Sequence, residues 1–190
     1  MRILVVGFLL MLLGCSSTPP ERQSYLLRPD VPAGTVSQGG AQVVSLGPIV
    51  VAEYLVQRGI VMETEPGEIA AARYHEWAEP LSDSLGYLLE ADLATALGVP
   101  VVRNQRDWAL RVDVRIDELH GTSTGEAKLV AQWTLTQPDG VQLGYQYSTS
   151  EPLARDGYGG LVAAERETLR ALAGEIARTA RVLLGDDRKM

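Results

Sequence analysis

The chain has 190 residues, enough for one domain with a respectable core. Its 17 Lys and Arg stand against 24 Asp and Glu, a formal charge of −7, so the clustered cations that bind phosphate backbones are not expected and nucleic acid is excluded as a partner. A single cysteine leaves no disulfide within the chain, and stability has to come from packing.

Arg2 is followed by an apolar run from Ile3 to Leu13 that ends at Gly14. A helix needs about 20 apolar residues to cross a bilayer, and this run is too short, so residues 1–14 read as a cleaved secretory signal. Cys15 comes next, and the series Leu12, Gly14, Cys15 resembles the lipobox of bacterial lipoproteins, with Leu13 where Ala, Ser or Thr is more usual. The resemblance implies a diacylglycerol on the Cys15 sulfur and a further acyl chain on its amine, and no other cofactor is expected. A catalytic thiol needs a base held beside it by a folded scaffold. Cys15 instead lies between a disposable run and a Ser/Pro-rich stretch, and reads as an attachment point.

Residues 15–24 form the expected tether, too poor in apolar side chains to order themselves. Nine extended residues reach about 30 Å at most, which keeps the folded part close to its membrane. Residues 25–190 read as one α+β domain.

Tyr25 to Arg28 suggests a short strand stopped by Pro29, followed by a Gly/Pro/Ser-rich loop to Gly40. Val43–Leu46 and Ile49–Val51 flank Gly47-Pro48, as one kinked or bulged strand would. Residues 59–64 and 69–74 suggest a strand pair across Glu65-Pro66-Gly67-Glu68. Glu79-Pro80 opens a helix in which Leu81, Leu85, Leu88, Leu89, Leu93 and Leu97 recur near helical spacing, and Gly98 and Pro100 end it.

Leu110, Val112, Val114 and Ile116 alternate with Arg111, Asp113, Arg115 and Asp117, the clearest strand in the chain. Leu129 to Leu135 and Val141 to Tyr147 alternate likewise on either side of Pro138-Asp139-Gly140, a meander with the right turn chemistry. From Gly160 to Leu184, Val162, Leu169, Leu172, Ile176 and Leu183 form the stripe of a second amphipathic helix. The expected fold is α+β, an antiparallel or mixed β-sheet with two amphipathic helices packed on one face.

Catalytic chemistry is hard to assemble from these residues, and the protein reads as no enzyme. His75 and His120, with Glu76, Asp117 and Glu118 nearby in sequence, lack the spacing of a metal motif. His120 reads as a solvated turn residue, and His75-Glu76 as part of a connection. Asp113 and Asp117 share a strand face with Arg111 and Arg115, and cross-strand pairing accounts for them better than a carboxylate pair for hydrolysis. There is no P-loop, and Gly121-Thr122-Ser123-Thr124-Gly125, although of the form Gly-x-Ser-x-Gly, reads as the turn at the end of a strand. Pro48 to Val56 and the aromatic set Trp133, Tyr145 and Tyr147 are candidate binding surfaces, but their spacing reads as core.

The early Tyr25-Leu26-Leu27, the segment VVSLGPIVVAEYLVQRGIVMET and then WAEPLSDSLGYLLEADLATAL, with Trp77-Ala78-x-Pro80-Leu81 directly before a leucine-rich helix, resemble the PqiC-type ABC-transport auxiliary lipoproteins. The resemblance implies an auxiliary or adaptor subunit of an MCE-type intermembrane lipid transport system, contributing to envelope integrity. It would sit on the periplasmic face of the outer membrane of a Gram-negative bacterium, with Ser16 after the cysteine in place of the aspartate that retains lipoproteins in the inner membrane. The implied partners are a periplasm-spanning MCE-domain protein and inner-membrane transport components, with phospholipid and further copies of the chain as additional candidates. The alternative is a pilotin-like structural lipoprotein of the outer membrane with no role in lipid transport, and an envelope hydrolase ranks behind both. Trp77, Pro80 and Leu81 are expected to fix the angle of the first helix or to form an interface.

Overall fold

The computed structural model describes residues 20–29 and 42–186. Cys15, the signal segment and most of the tether lie outside the described residues, as does the loop 30–41. In chain order the strands are β1 (Gln23–Tyr25), β2 (Val44–Leu46), β3 (Val50–Val51), β4 (Gly59–Glu65) and β5 (Glu68–Trp77), then β6 (Val101–Arg103), β7 (Leu110–Gly121), β8 (Glu126–Thr136) and β9 (Gln142–Pro152). Helix α1 (Leu81–Leu97) follows β5, and α2 (Tyr158–Asp186) closes the domain.

Strand β7 organises the sheet. One edge pairs antiparallel with β8, and β8 with β9, which is the expected meander. The other edge takes β2, β3 and β4 in succession, all parallel to it, at Val44↔Leu110, Val50↔Arg115 and Met62↔Gly121. Beyond them lie β6, parallel to β2, and the antiparallel hairpin partner β5, with β1 parallel on its far side. The sheet is therefore mixed.

The kink expected at Gly47-Pro48 is a true interruption between β2 and β3. Gly47 still donates its N–H to the Val112 carbonyl at 2.8 Å, while proline has no N–H to continue the ladder. A Cβ on Gly47 would stand 2.1 Å from Asp113 Oδ1, so a glycine lets the two chains approach.

A second irregularity lies between Ile116 and Glu118, where the β7–β8 register shifts by one residue. Up to that bulge the even-numbered side chains Leu110, Val112, Val114 and Ile116 are buried, and past it Leu119 is. The extra residue resets the alternation, which carries the strand on to Gly121.

Helix α1 begins at Leu81 with Pro80 as its N-cap, and the Pro80 carbonyl accepts from the N–H groups of Asp83 and Ser84 at 3.0 and 3.3 Å. It ends as expected at Gly98, which is left-handed (φ 69°) and returns its N–H to Ala94. Leu85, Leu88, Leu89 and Leu93 of α1 share one buried cluster with Leu169, Leu172 and Ile176 of α2 and with the inward residues of β7 and β8. The two helices touch one another and cover the same side of the sheet.

Candidate functional site

The chain around the start of α1 converges on one corner of the sheet. Trp77 ends β5, is 4% exposed, and donates its backbone N–H to the Arg58 carbonyl at 2.8 Å. It lies opposite Tyr25 of β1, whose carbonyl takes the N–H of Ala78. Leu81 is buried and Pro80 is exposed. Of the three residues singled out from the sequence, then, two face the core and one faces solvent.

Glu79, between them, is gripped by charge. Arg28 Nη1 and Nη2 donate to its two carboxylate oxygens at 2.5 and 2.7 Å, and Ser84 Oγ donates to Oε1 at 2.5 Å. The Arg28 and Ser84 donors hold the Glu79 carboxyl below the usual carboxylate range. The Arg28 guanidinium also lies 4.8 Å from the ring centroid of Tyr87, and that of Arg103 from β6 lies 4.0 Å from the same ring. Arg103 Nε in turn donates to Glu90 at 2.9 Å. Two guanidiniums on one aromatic ring, each held by its own carboxylate, clamp the end of β1 and the strand β6 to α1. Only the helical spacing of Glu79, Tyr87 and Glu90 hints at this in the sequence, because Arg28 and Arg103 arrive from distant segments.

Both histidines sit elsewhere than expected. His75 lies within β5, not in a connection, with Nδ1 3.1 Å from the Tyr25 hydroxyl and its ring stacked on Tyr158 at 4.1 Å. His120 is not a solvated turn residue. The bulge extends β7 past it, and it is 3% exposed, with Nδ1 donating to the Gly121 carbonyl at 3.1 Å and Nε2 3.2 Å from Glu118 Oε2. Glu118 also takes Lys128 Nζ at 2.7 Å, and that ammonium does most to lower its pKa. Among the described residues, no three His, Cys, Asp or Glu gather as metal ligands would.

Asp113 and Asp117 of β7 are paired along the strand, whereas Glu118 pairs across it with Lys128. Arg111 donates to Asp113 at 2.7 Å and Arg115 to Asp117 at 2.7 Å, each two residues apart, and Gln132 of β8 also donates to Asp117, at 2.8 Å. The arginines lean along the strand because the residues opposite them are Thr136 and Gln132, not carboxylates.

Of the apolar surfaces, Ile49 and Leu55 are buried while Val50 and Val56 are exposed. Pro48 and Val50 line an open groove of about 390 Å³ beside Asp113 and Arg115. Trp133 is buried, stacks on Tyr145 at 5.3 Å and donates Nε1–H to Thr179 Oγ1 of α2 at 3.2 Å, whereas Tyr145 and Tyr147 are half-buried.

Glu165, which the sequence reading did not single out, points from α2 into the core. It is 1% exposed, its Oε2 has no hydrogen-bond partner among the described residues, and burial pushes its carboxyl up to about 8. Burial likewise pushes the Tyr54 hydroxyl up to about 12.

The mixed sheet and its two covering helices coincide with a family match that runs over residues 25–177, to the ABC-type transport auxiliary lipoprotein components, and the chain belongs to that family. It is 29% identical over 157 residues to the intermembrane transport lipoprotein PqiC of Escherichia coli K12, covering 80% of this chain and 83% of the relative, and matches the Shigella flexneri protein of the same name equally. Among solved structures, the crystal structure of an uncharacterized protein superposes with a TM-score of 0.75 at 21% identity, over 85% of this chain and 99% of that one. A Xanthomonas campestris protein gives 0.67 at 16%, over 90% and 98%. These two structures establish the fold.

Proposed function

We propose that the protein is an auxiliary subunit of an intermembrane lipid transport system, held to the periplasmic face of the outer membrane by acyl chains on Cys15, and that it is not an enzyme. In this reading the folded domain is an adaptor that receives the end of a periplasm-spanning MCE-domain protein, whose inner-membrane components drive transport, and so supports envelope integrity. The observation that carries the reading is the similarity to PqiC along 80% of the chain, in proteins named for intermembrane transport. It is supported by the sequence before the domain, where Cys15 follows a lipobox-like series and Ser16 stands in place of an aspartate. No helix among the described residues is long and apolar enough to cross a membrane, and the proposed anchor needs none. Trp77 and Leu81 serve the domain by setting the angle at which α1 leaves the sheet.

The test is affinity purification of the full-length protein from its native membranes in mild detergent, with mass spectrometry of what accompanies it and Cys15→Ser as control. An MCE-domain protein recovered with the wild type and reduced in the control is the expected result. A secretin or barrel-assembly machine in its place, under several detergents, overturns the reading in favour of a structural lipoprotein.

A further inference from the structure

We propose that the corner of the domain carrying Arg22, Arg58 and Val56 rests on the phospholipid head groups of the membrane that holds the anchor, so that the domain has a fixed face toward the bilayer. The inference rests on the proposed acylation of Cys15 and goes beyond it, from attachment to orientation.

The two arginines come from separate segments and meet over one carboxylate. Arg22 Nη1 lies 4.0 Å from Glu76 Oε2, and Arg58 Nη2 lies 3.3 Å from Glu76 Oε1. The Glu76 side chain is 17% exposed, whereas those of Arg22 and Arg58 are 68% and 75% exposed, so the guanidiniums project outward past the group that positions them. Val56, two residues before Arg58 and just beyond the short helical turn Glu53–Leu55, is 62% exposed. Guanidinium donors fit phosphate oxygens in pairs, and an apolar side chain beside them suits the boundary between head groups and acyl chains.

The length of chain before the sheet selects the membrane as occupant. Arg22 is seven residues from Cys15, at most about 25 Å when extended. The corner therefore stays within reach of the bilayer at an effective concentration on the order of millimolar, and a contact too weak to recruit a free protein is populated in a tethered one. Glu21 and Glu53 are exposed nearby and limit the corner to a short-range contact with phosphate groups, not a long-range field. The chain as a whole carries a net charge of −7, and the surface outside this corner is repelled by anionic lipid, which favours the same orientation.

If Cys15 is acylated, a cysteine introduced elsewhere is the one reactive thiol. Full-length acylated protein carrying Gln57→Cys, and separately Asp139→Cys on the β8–β9 turn, is labelled with an environment-sensitive dye. It is then reconstituted into vesicles of phosphatidylethanolamine and phosphatidylglycerol. Position 139 lies on the turn beyond the Arg111↔Thr136 end of the β7–β8 ladder, whereas position 57 precedes β4, which meets β7 at its other end, Met62↔Gly121. Quenching by acrylamide is expected to be about threefold weaker at position 57 than at 139, because head groups shield the former. The double variant Arg22→Glu/Arg58→Glu is expected to remove the difference, and Arg22→Lys/Arg58→Lys to keep most of it. Equal quenching at both positions in vesicle-bound protein overturns the orientation and leaves the anchor standing. Shielding of position 57 that the charge reversal does not change overturns the role of the arginines. Vesicle flotation and the mass of the N-terminal peptide are read on the same samples, and protein that neither floats nor carries acyl mass overturns the anchor and the orientation with it.

Discussion

Two side chains show how burial decides a residue's effect. Trp77 is large and 4% exposed, so Trp77→Ala leaves a cavity and is expected to cost about 3–5 kcal/mol, read as a lower urea midpoint. An unchanged midpoint would mean that the ring is not a core group in solution. Glu165 acts in the opposite sense, because its carboxyl, at about 8, is neutral in the fold and ionises near the ordinary carboxylate value of about 4.3 once unfolded. Between those values the unfolded chain binds fewer protons than the folded one, so stability falls as pH rises through the window and levels off above it. Tyr54 at about 12 does not titrate there, and Glu118 is held low by Lys128 and His120. Glu165→Gln is therefore expected to match the wild type near pH 4 and to exceed it by a few kcal/mol near pH 8, a difference that urea titrations across the range would show. A parallel pH dependence in both proteins would mean that Glu165 is ionised and solvated. The sequence gives no warning of this residue, since a glutamate among Arg166, Glu167 and Arg170 looks like one more surface charge.

At the scale of elements, the clamp on α1 joins three segments that no local pattern connects. Tyr87 carries two guanidiniums at a partly exposed site, where each cation–π contact contributes about 0.5–1 kcal/mol. Tyr87→Ala should then cost about 1–2 kcal/mol in thermal or urea unfolding, and Tyr87→Phe less, because it keeps both ring contacts and loses only the hydroxyl's interaction with Arg103. Equal losses for both would shift the role to the hydroxyl. The elements themselves were largely legible. The leucine stripe bounded by Pro80 and Gly98, the alternation from Leu110 to Ile116 and the turn at Pro138-Asp139-Gly140 each carry their own signal, and each is where it was expected. The errors fall where tertiary contacts override the local pattern. The bulge at Asp117 flips the alternation and lets β7 run on through His120. Strand β6 is three residues held by parallel pairing to β2, with no periodicity of its own to announce it. At the site, Trp77 and Leu81 were visible as a motif before a helix, but Arg28 and Arg103 were not, since a partner 51 residues away leaves no trace in spacing.

Over the whole molecule, parallel pairing is what the sequence conceals. A hairpin announces itself through its turn, but β2, β3 and β4 reach one edge of β7 from segments far earlier in the chain, and nothing at residues 44, 50 or 62 names residues 110, 115 or 121 as partners. The resulting sheet ties the first described strand to the domain through β5, at Tyr25↔Trp77. The proposed attachment point and the fold are separated along the chain. Cys15 precedes β1 by eight residues, and among the described residues the buried cluster begins at Leu27. If the cysteine serves the membrane alone, Cys15→Ser should leave the membrane fraction on cell fractionation. Its thermal midpoint, measured in the same detergent as the acylated protein, should move by less than about 2 °C, which for a domain of this size is under about 1 kcal/mol. A larger fall in midpoint would mean that the acyl chains or the segment bearing them pack against the domain, and a variant still bound to membranes would place the anchor elsewhere.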